Sequence, residues 1–132
     1  MPHLSSKKLS EAQEKILKDR LVEVLRHVGK NHRLGYALKE LFTHTEMLMF
    51  AKRISIIYLA NKEMPTLEIC KSLEVSSSTV IKIQKRLDRG GYKNLIVAFR
   101  KAEPTILEII ESIMYAGSPR RYGKGRWDFL NN

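Results

Sequence analysis

Hydroxyl and basic side chains are concentrated in one stretch of the chain, residues 76 to 101. Four hydroxyl residues open it, from Ser76 to Thr79, and a single acid, Asp88, lies within it. Lysine and arginine donate hydrogen bonds to anionic oxygens, and hydroxyls both donate and accept. This combination predicts contact with a polyanion. The seven basic residues of the stretch are Lys82, Lys85, Arg86, Arg89, Lys93, Arg100 and Lys101.

The whole chain is basic as well. Its 132 residues contain 24 Lys and Arg against 14 Asp and Glu, a formal charge of +10. Such an excess favours a polyanionic partner, although charge alone does not select which one. The length and the 43% hydrophobic content fit one domain with its own core.

Apolar residues recur at three- and four-residue intervals, which predicts an all-α fold of about six or seven helices. Ser10 and Gln13 have the spacing of a capping box, in which each residue satisfies an amide of the other. They predict the start of the first helix, and Gly29 predicts its end. A second, shorter helix is expected over residues 34 to 42.

The later part of the chain continues the helical pattern. Thr43 and Glu46 repeat the capping-box spacing and predict a third helix that ends near Asn61. Two brief helices are expected between residues 66 and 88. After a glycine pair the pattern resumes, and Pro104 is expected in the first turn of a last helix that reaches residue 116.

Residues 66 to 88 have the pattern of a helix-turn-helix. Two short helices that cross steeply need inward apolar residues and a small residue at their closest approach, here Cys70. Val75 closes the turn. Glu74 stands where glycine is common, and a positive φ at that position costs roughly 1 kcal/mol, which such a turn tolerates. The inward apolar residues are Ile69, Leu73, Val80, Ile83 and Leu87.

In this motif the second helix enters the major groove of DNA, and its first outward side chains reach the base edges. Ser76 is the expected N-cap of that helix, over residues 76 to 88, so that its first amides lie near phosphate. The predicted partner is therefore double-stranded DNA. The candidate base-reading residues are Ser77, Ser78, Ile81 and Lys82. The candidate phosphate contacts are Ser76, Lys85, Arg86 and Arg89.

A longer segment, from Thr43 to about residue 87, resembles the Trp repressor-like family and within it the YerC-type branch. The matching residues are Thr43-His44-Thr45-Glu46, Ala51-Lys52-Arg53-Ile54, and Glu63-Met64 leading into residues 66 to 83. The resemblance implies a helical fold in which the terminal helices of two chains interlace into a homodimer. The apolar faces of the helices at 10–28 and 104–116 are compatible with that arrangement.

The same resemblance bears on a corepressor. Thr43 and Arg53 fall where the tryptophan repressor has a threonine and an arginine around its ligand. Lys82 takes the place of a second arginine, and Ile83 that of a glycine beside the indole. Because a β-branched isoleucine fills that space, tryptophan binding is not expected. A salt bridge or a snorkelling side chain is the more common explanation for an arginine such as Arg53 in an otherwise apolar helix.

The chain ends are expected to lie outside the helical domain. Residues 1–9 are predicted to be a flexible N-terminus, residues 10–116 a DNA-binding and dimerisation domain, and residues 117–132 a basic tail. The tail is either a solubilising terminus or an arm on the DNA backbone or in its minor groove. Its candidate contacts are Arg120, Arg121, Lys124 and Arg126.

The sequence lacks the residue patterns expected of an enzyme, a metal site, or an exported or membrane protein. The sequence has no paired-carboxylate site, no Ser-His-Asp order and no phosphate-binding glycine loop, so an enzyme is not expected. The four histidines have no metal-ligand spacing, which predicts neither a metal nor a cofactor. The single cysteine, Cys70, fits a reducing cytoplasm. No export signal or membrane span is expected from the N-terminal residues or the short apolar runs.

The sequence thus predicts a bacterial, cytoplasmic and nucleoid-associated transcription regulator, in the first place a repressor, that binds a specific DNA site as a homodimer. The alternative is a helical module that binds nucleoid DNA without sequence preference or binds structured RNA.

Overall fold

The computed structural model describes residues 8–115. This part of the chain consists of helices and loops without a strand, which confirms the all-α prediction for it. It divides into two compact units, up to His44 and from Thr45 onward. None of its helices is both long and apolar enough to cross a bilayer. The helices are α1 Glu11–Gly29, α2 Leu34–Leu41, α3 His44–Asn61, α4 Thr66–Leu73, α5 Ser77–Asp88 and α6 Lys93–Met114.

The first unit contains α1 and α2. The predicted capping box is present at its start: the Ser10 hydroxyl accepts from the Gln13 N–H at 3.2 Å, and the Gln13 side chain accepts from the Ser10 N–H at 2.9 Å. Helix α1 ends at Gly29, as predicted. Neither helix has a buried residue. The large apolar residues that α1 leaves exposed are Ile16, Leu17, Leu21, Val22 and Val24.

The second unit has a buried apolar core to which all four of its helices contribute. Burial of side chains of this size stabilises the fold by about 1.5–3 kcal/mol each. The core consists of Ile56, Ile57, Tyr58 and Leu59 of α3, Met64 of the following loop, Ile69 and Leu73 of α4, Val80 and Ile83 of α5, and Phe99, Ile106 and Ile110 of α6.

Pro104 does not begin a helix, which corrects the prediction made from the sequence. It lies inside α6, a single helix of 22 residues. A proline in a helix interior removes one backbone hydrogen bond and costs about 3 kcal/mol. Phe99 precedes it and Ile106 follows it, and both are buried in the same core. We infer that burial on both sides of the proline outweighs this local cost.

A polar contact joins α3 to α6 one residue before that proline. The Tyr58 hydroxyl donates to Glu103 Oε1, and Lys62 Nζ lies 3.5 Å from the same carboxylate oxygen. Burial, and secondarily the carboxylate, raises the pKa of the Tyr58 hydroxyl well above its ordinary value. The hydrogen bond from Tyr58, followed by the charge of Lys62, lowers the pKa of Glu103. The carboxylate is therefore held in its ionised form.

This contact predicts a specific acid sensitivity of the folded state. Folding lowers the pKa of Glu103, so its ionised carboxylate adds to the free energy of unfolding. This contribution is complete above the unfolded pKa of about 4.3 and is lost as the pH falls through the lower folded value. Removal of the charged acceptor in Glu103→Gln should cost about 1 kcal/mol at pH 7 and less at pH 3, which lies below the unfolded pKa. Urea unfolding at the two pH values, at one protein concentration, measures this difference.

The matched control for this prediction is Tyr58→Phe, which keeps the buried ring and removes only the donor. Tyr58→Phe should lower the free energy of unfolding by the same amount as Glu103→Gln at pH 7. At pH 3, both variants should lower it by less. Equal destabilisation by Glu103→Gln at both pH values would contradict the assignment of the effect to the ionised carboxylate.

Candidate nucleic-acid interface

Helices α4 and α5 are joined by a turn of three residues, 74 to 76. Glu74 adopts the left-handed conformation expected for it, with φ 53° and ψ 53°. The N–H of Val75 donates to the carbonyl of Cys70 at 3.3 Å, which closes the end of α4. A hydrogen bond of 3.0 Å from the Thr66 hydroxyl to the Gln84 side chain also links the two helices. These contacts restrict how α5 is oriented on α4.

The inward residues of this segment are those predicted. Ile69, Leu73 and Val80 are completely buried, and Ile83 is 7% exposed. Because a helix turns once in 3.6 residues, burial of positions 80 and 83 directs positions 77, 78, 81, 82 and 85 away from the core. Three partly buried residues complete the packing: Cys70, Val75 and Leu87.

The N-terminus of α5 is closed by hydroxyl groups. Ser76 is the N-cap, as predicted, and its Oγ accepts from the Thr79 N–H at 3.3 Å. The same oxygen lies 2.8 Å from the Thr79 hydroxyl and 3.2 Å from the Ser78 hydroxyl. The first amides of a helix have no partner within it and favour an anion. The Ser77 hydroxyl makes no hydrogen bond within the part of the chain that the structure describes.

The solvent face of α5, which includes the capping residues Ser76 and Arg89, contains all the residues predicted to read bases and all those predicted to meet phosphate. Ile81 is 41% exposed although it is apolar, so that its side chain is available to a partner. The other residues of this face are exposed too: Ser76, Ser77, Ser78, Lys82, Lys85, Arg86 and Arg89.

The basic residues of this face are not neutralised by acids. Within residues 8–115, none of Lys82, Lys85, Arg86 and Arg89 has a carboxylate within ion-pair distance. Ion pairs do form elsewhere on the surface, as between Arg20 and Glu23 at 3.3 Å. The positive charge of α5 is therefore free to act on an anion in solution.

A cleft of about 520 Å³ lies beside α5 in the second unit. Three cationic residues line it, Arg53 from α3 and Lys82 and Arg86 from α5. Its lining combines positive charge, two hydroxyl-bearing residues and apolar surface, and so suits an anionic group. The sequence placed Arg53 near Lys82 only through a resemblance and gave no signal for Thr79, Tyr92 or Leu95. The remaining lining residues are Ile57, Thr79, Ile83, Tyr92 and Leu95.

The C-terminal end of α5 is closed by a Schellman motif. Gly91 N–H donates to the Arg86 carbonyl at 2.8 Å, and Gly90 N–H donates to the Leu87 carbonyl at 2.9 Å. Gly90 has φ 81°, which favours glycine. Gly91 is required by close approach, because a Cβ there would lie 2.6 Å from Arg86 Cγ and 2.8 Å from the Arg86 carbonyl oxygen.

The predicted tail contacts Arg120, Arg121, Lys124 and Arg126 lie outside the described residues. Comparisons of the chain with known protein families, with curated proteins and with solved structures found no match.

The close approach of Gly91 to Arg86 predicts that a larger residue at position 91 lowers the stability of the fold. Gly91→Ala should destabilise the second unit by about 1–3 kcal/mol, because the Arg86 carbonyl belongs to the backbone and cannot move aside without distorting α5. Gly35→Ala is the matched control, since a Cβ at Gly35 meets nothing within 4 Å. Chemical denaturation of both variants measures the difference. Equal stability of the two variants would contradict the tight contact at the end of α5.

Proposed function

We propose that this protein is a transcription regulator that binds double-stranded DNA sequence-specifically through α5 as a homodimer. The observation that carries the proposal is the solvent face of α5, where polar and apolar reading residues lie next to unpaired cations. The α4–turn–α5 segment is then a helix-turn-helix with α5 as its recognition helix.

The dimensions and the chemistry of α5 support this role. Its 12 residues correspond to a length of about 18 Å, and the major groove is about 12 Å wide. Ser77 and Ser78 donate to or accept from base edges, Lys82 donates to them, and Ile81 contacts a thymine methyl group. Lys85, Arg86 and Arg89 neutralise phosphates further along the helix. The N-terminal amides and the Ser76 cap lie toward the phosphate backbone.

The first unit supports the second half of the proposal, the homodimer. Helix α1 has 19 residues, and none of them is buried. In proteins, most of the stability of a helix comes from packing of its apolar face. Ile16, Leu17, Leu21 and Val24 form such a face, each about half exposed. A second copy covers it and supplies a second α5 for the other half of a two-fold symmetric site.

If α5 recognises DNA, substitutions of its base-reading residues and of its phosphate-contacting residues should change DNA binding in different ways. Lys82→Ala and Ser78→Ala should change the sequence selected from a randomised duplex pool, because they remove base contacts. Lys85→Ala should weaken binding to all sequences and lower the slope of log affinity against log salt by about 0.9, the value for one phosphate. Fluorescence anisotropy at several salt concentrations, followed by sequencing of bound DNA, measures both effects.

Arg20→Gln is the matched control, because Arg20 is already paired with Glu23 and lies outside α5. It should leave the selected sequence unchanged and lower the salt slope by less than Lys85→Ala does. An RNA of the same length serves as competitor. Tight binding without a selected sequence, or preference for the RNA, would contradict specific DNA reading and favour the nucleoid or RNA-binding alternative.

The proposed dimer makes a prediction of its own. The double variant Leu17→Glu with Leu21→Glu places two charges on the apolar face of α1 and should convert the dimer into a monomer in sedimentation equilibrium. Leu67→Glu is the control, since Leu67 is 75% exposed on α4 and lies outside that face. A wild-type chain that is monomeric at micromolar concentration would refute the homodimer.

A further inference from the structure

Arg86 differs from the other basic residues of α5 in its surroundings. Its guanidinium carbon lies 4.7 Å from the centroid of the Tyr92 ring, which places the cation over the aromatic face. No such ring contact exists for Lys82, Lys85 or Arg89 within residues 8–115. The backbone of Arg86 is therefore part of α5, and its guanidinium group contacts the Tyr92 ring.

The stem of Arg86 is restricted as well. The Schellman motif brings the backbone of Gly91 so close that a Cβ there would lie 2.6 Å from Arg86 Cγ. Tyr92, the next residue, has φ 64° and is the N-cap of α6. The chain reversal between α5 and α6 thus returns Tyr92 to the side of Arg86, where its ring contacts the guanidinium. A restricted side chain loses less conformational entropy when it binds than a free one does.

The contact with Tyr92 leaves the hydrogen-bonding groups of Arg86 available, because its guanidinium donates no hydrogen bond within residues 8–115. A guanidinium can lie over an aromatic ring and still donate its N–H groups to another partner. Arg86 forms no ion pair within residues 8–115. Its donors are consequently free to bind a phosphate in the bidentate geometry that suits arginine.

We propose that Tyr92 is a positioning residue that holds the Arg86 guanidinium ready for one phosphate of the bound DNA. The inference rests on the proposed function of α5 and assigns to Arg86 a preorganised contact, in contrast to Lys85 and Arg89. Tyr92 itself does not touch the nucleic acid. It acts through Arg86 alone, and this restriction makes the proposal testable by a double-mutant cycle.

The experiment compares the full chain with Arg86→Gln, Tyr92→Leu, Tyr92→Phe and the double variant Arg86→Gln with Tyr92→Leu. Binding to one duplex, of a sequence selected from the randomised pool, is measured by fluorescence anisotropy at several salt concentrations. Tyr92→Leu keeps the apolar packing but loses the ring, and should weaken binding about three-fold without changing the salt slope. Tyr92→Phe keeps the ring and should bind like the wild type. Arg86→Gln should lower the slope by about 0.9.

The decisive comparison is the double variant. If Tyr92 acts through Arg86, Tyr92→Leu has no effect on binding once Arg86 is Gln. If it weakens binding equally in both backgrounds, Tyr92 acts independently and the inference is overturned. Unfolding of each variant is measured in parallel, and a three-fold effect that follows a loss of folded protein also overturns it.

A second measurement separates this inference from the proposed function. In the free protein, the NMR signal of the Arg86 Nε–H should be shifted upfield by the Tyr92 ring, in the wild type and in Tyr92→Phe but not in Tyr92→Leu. Absence of the shift in the wild type overturns the positioning role even when DNA binds. A normal shift with no salt-sensitive binding to duplex DNA overturns the phosphate contact together with the proposed function.

Discussion

The burial of one face of α5 against the other helices of the second unit is the constraint on which the rest of the structure depends. Val80 and Ile83 are buried together with Ile69 and Leu73 of α4. Rotation of α5 by one residue, or about 100°, would carry these side chains into water and expose the core. The orientation of the solvent face is therefore determined by apolar packing. Specific reading of a partner requires such a fixed face, because hydrogen bonds to base edges depend on their geometry.

Both ends of α5 are closed by backbone conformations that few residues adopt. Glu74 has φ 53° before the helix, and Gly90 and Tyr92 have φ 81° and 64° after it. Each non-glycine residue in this region costs roughly 1 kcal/mol or more. The core that surrounds the segment offsets that cost. In return, short connections hold α5 against α4 and direct the chain into α6, so that Tyr92 returns to the side of Arg86.

Local signals predicted much of this fold, and long-range contacts account for what they missed. The caps at Ser10 and Ser76 are short-range patterns, since the partner lies three residues away. The Tyr58–Glu103 hydrogen bond joins residues 45 positions apart and leaves no periodic trace. The error at Pro104 has the same origin, because a local rule was applied where burial in the core decides. In the candidate interface, the sequence located the outward residues of α5 but not the cleft formed with Arg53.

The exposed apolar face of α1 and the short length of α5 both favour the proposed homodimer. A helix of 12 residues offers four proposed reading side chains, and a good bidentate base contact discriminates by only about 1–3 kcal/mol. Serine and isoleucine contribute no bidentate contact, so a single α5, acting as the proposed recognition helix, would distinguish its site poorly from the many competing sites on a chromosome. Two copies, associated as proposed, would double the base contacts and bury the apolar face of α1 at the same time. In the proposed homodimer, the stability of the first unit and the specificity of the second would depend on one association, and both should fall together when the chain is diluted.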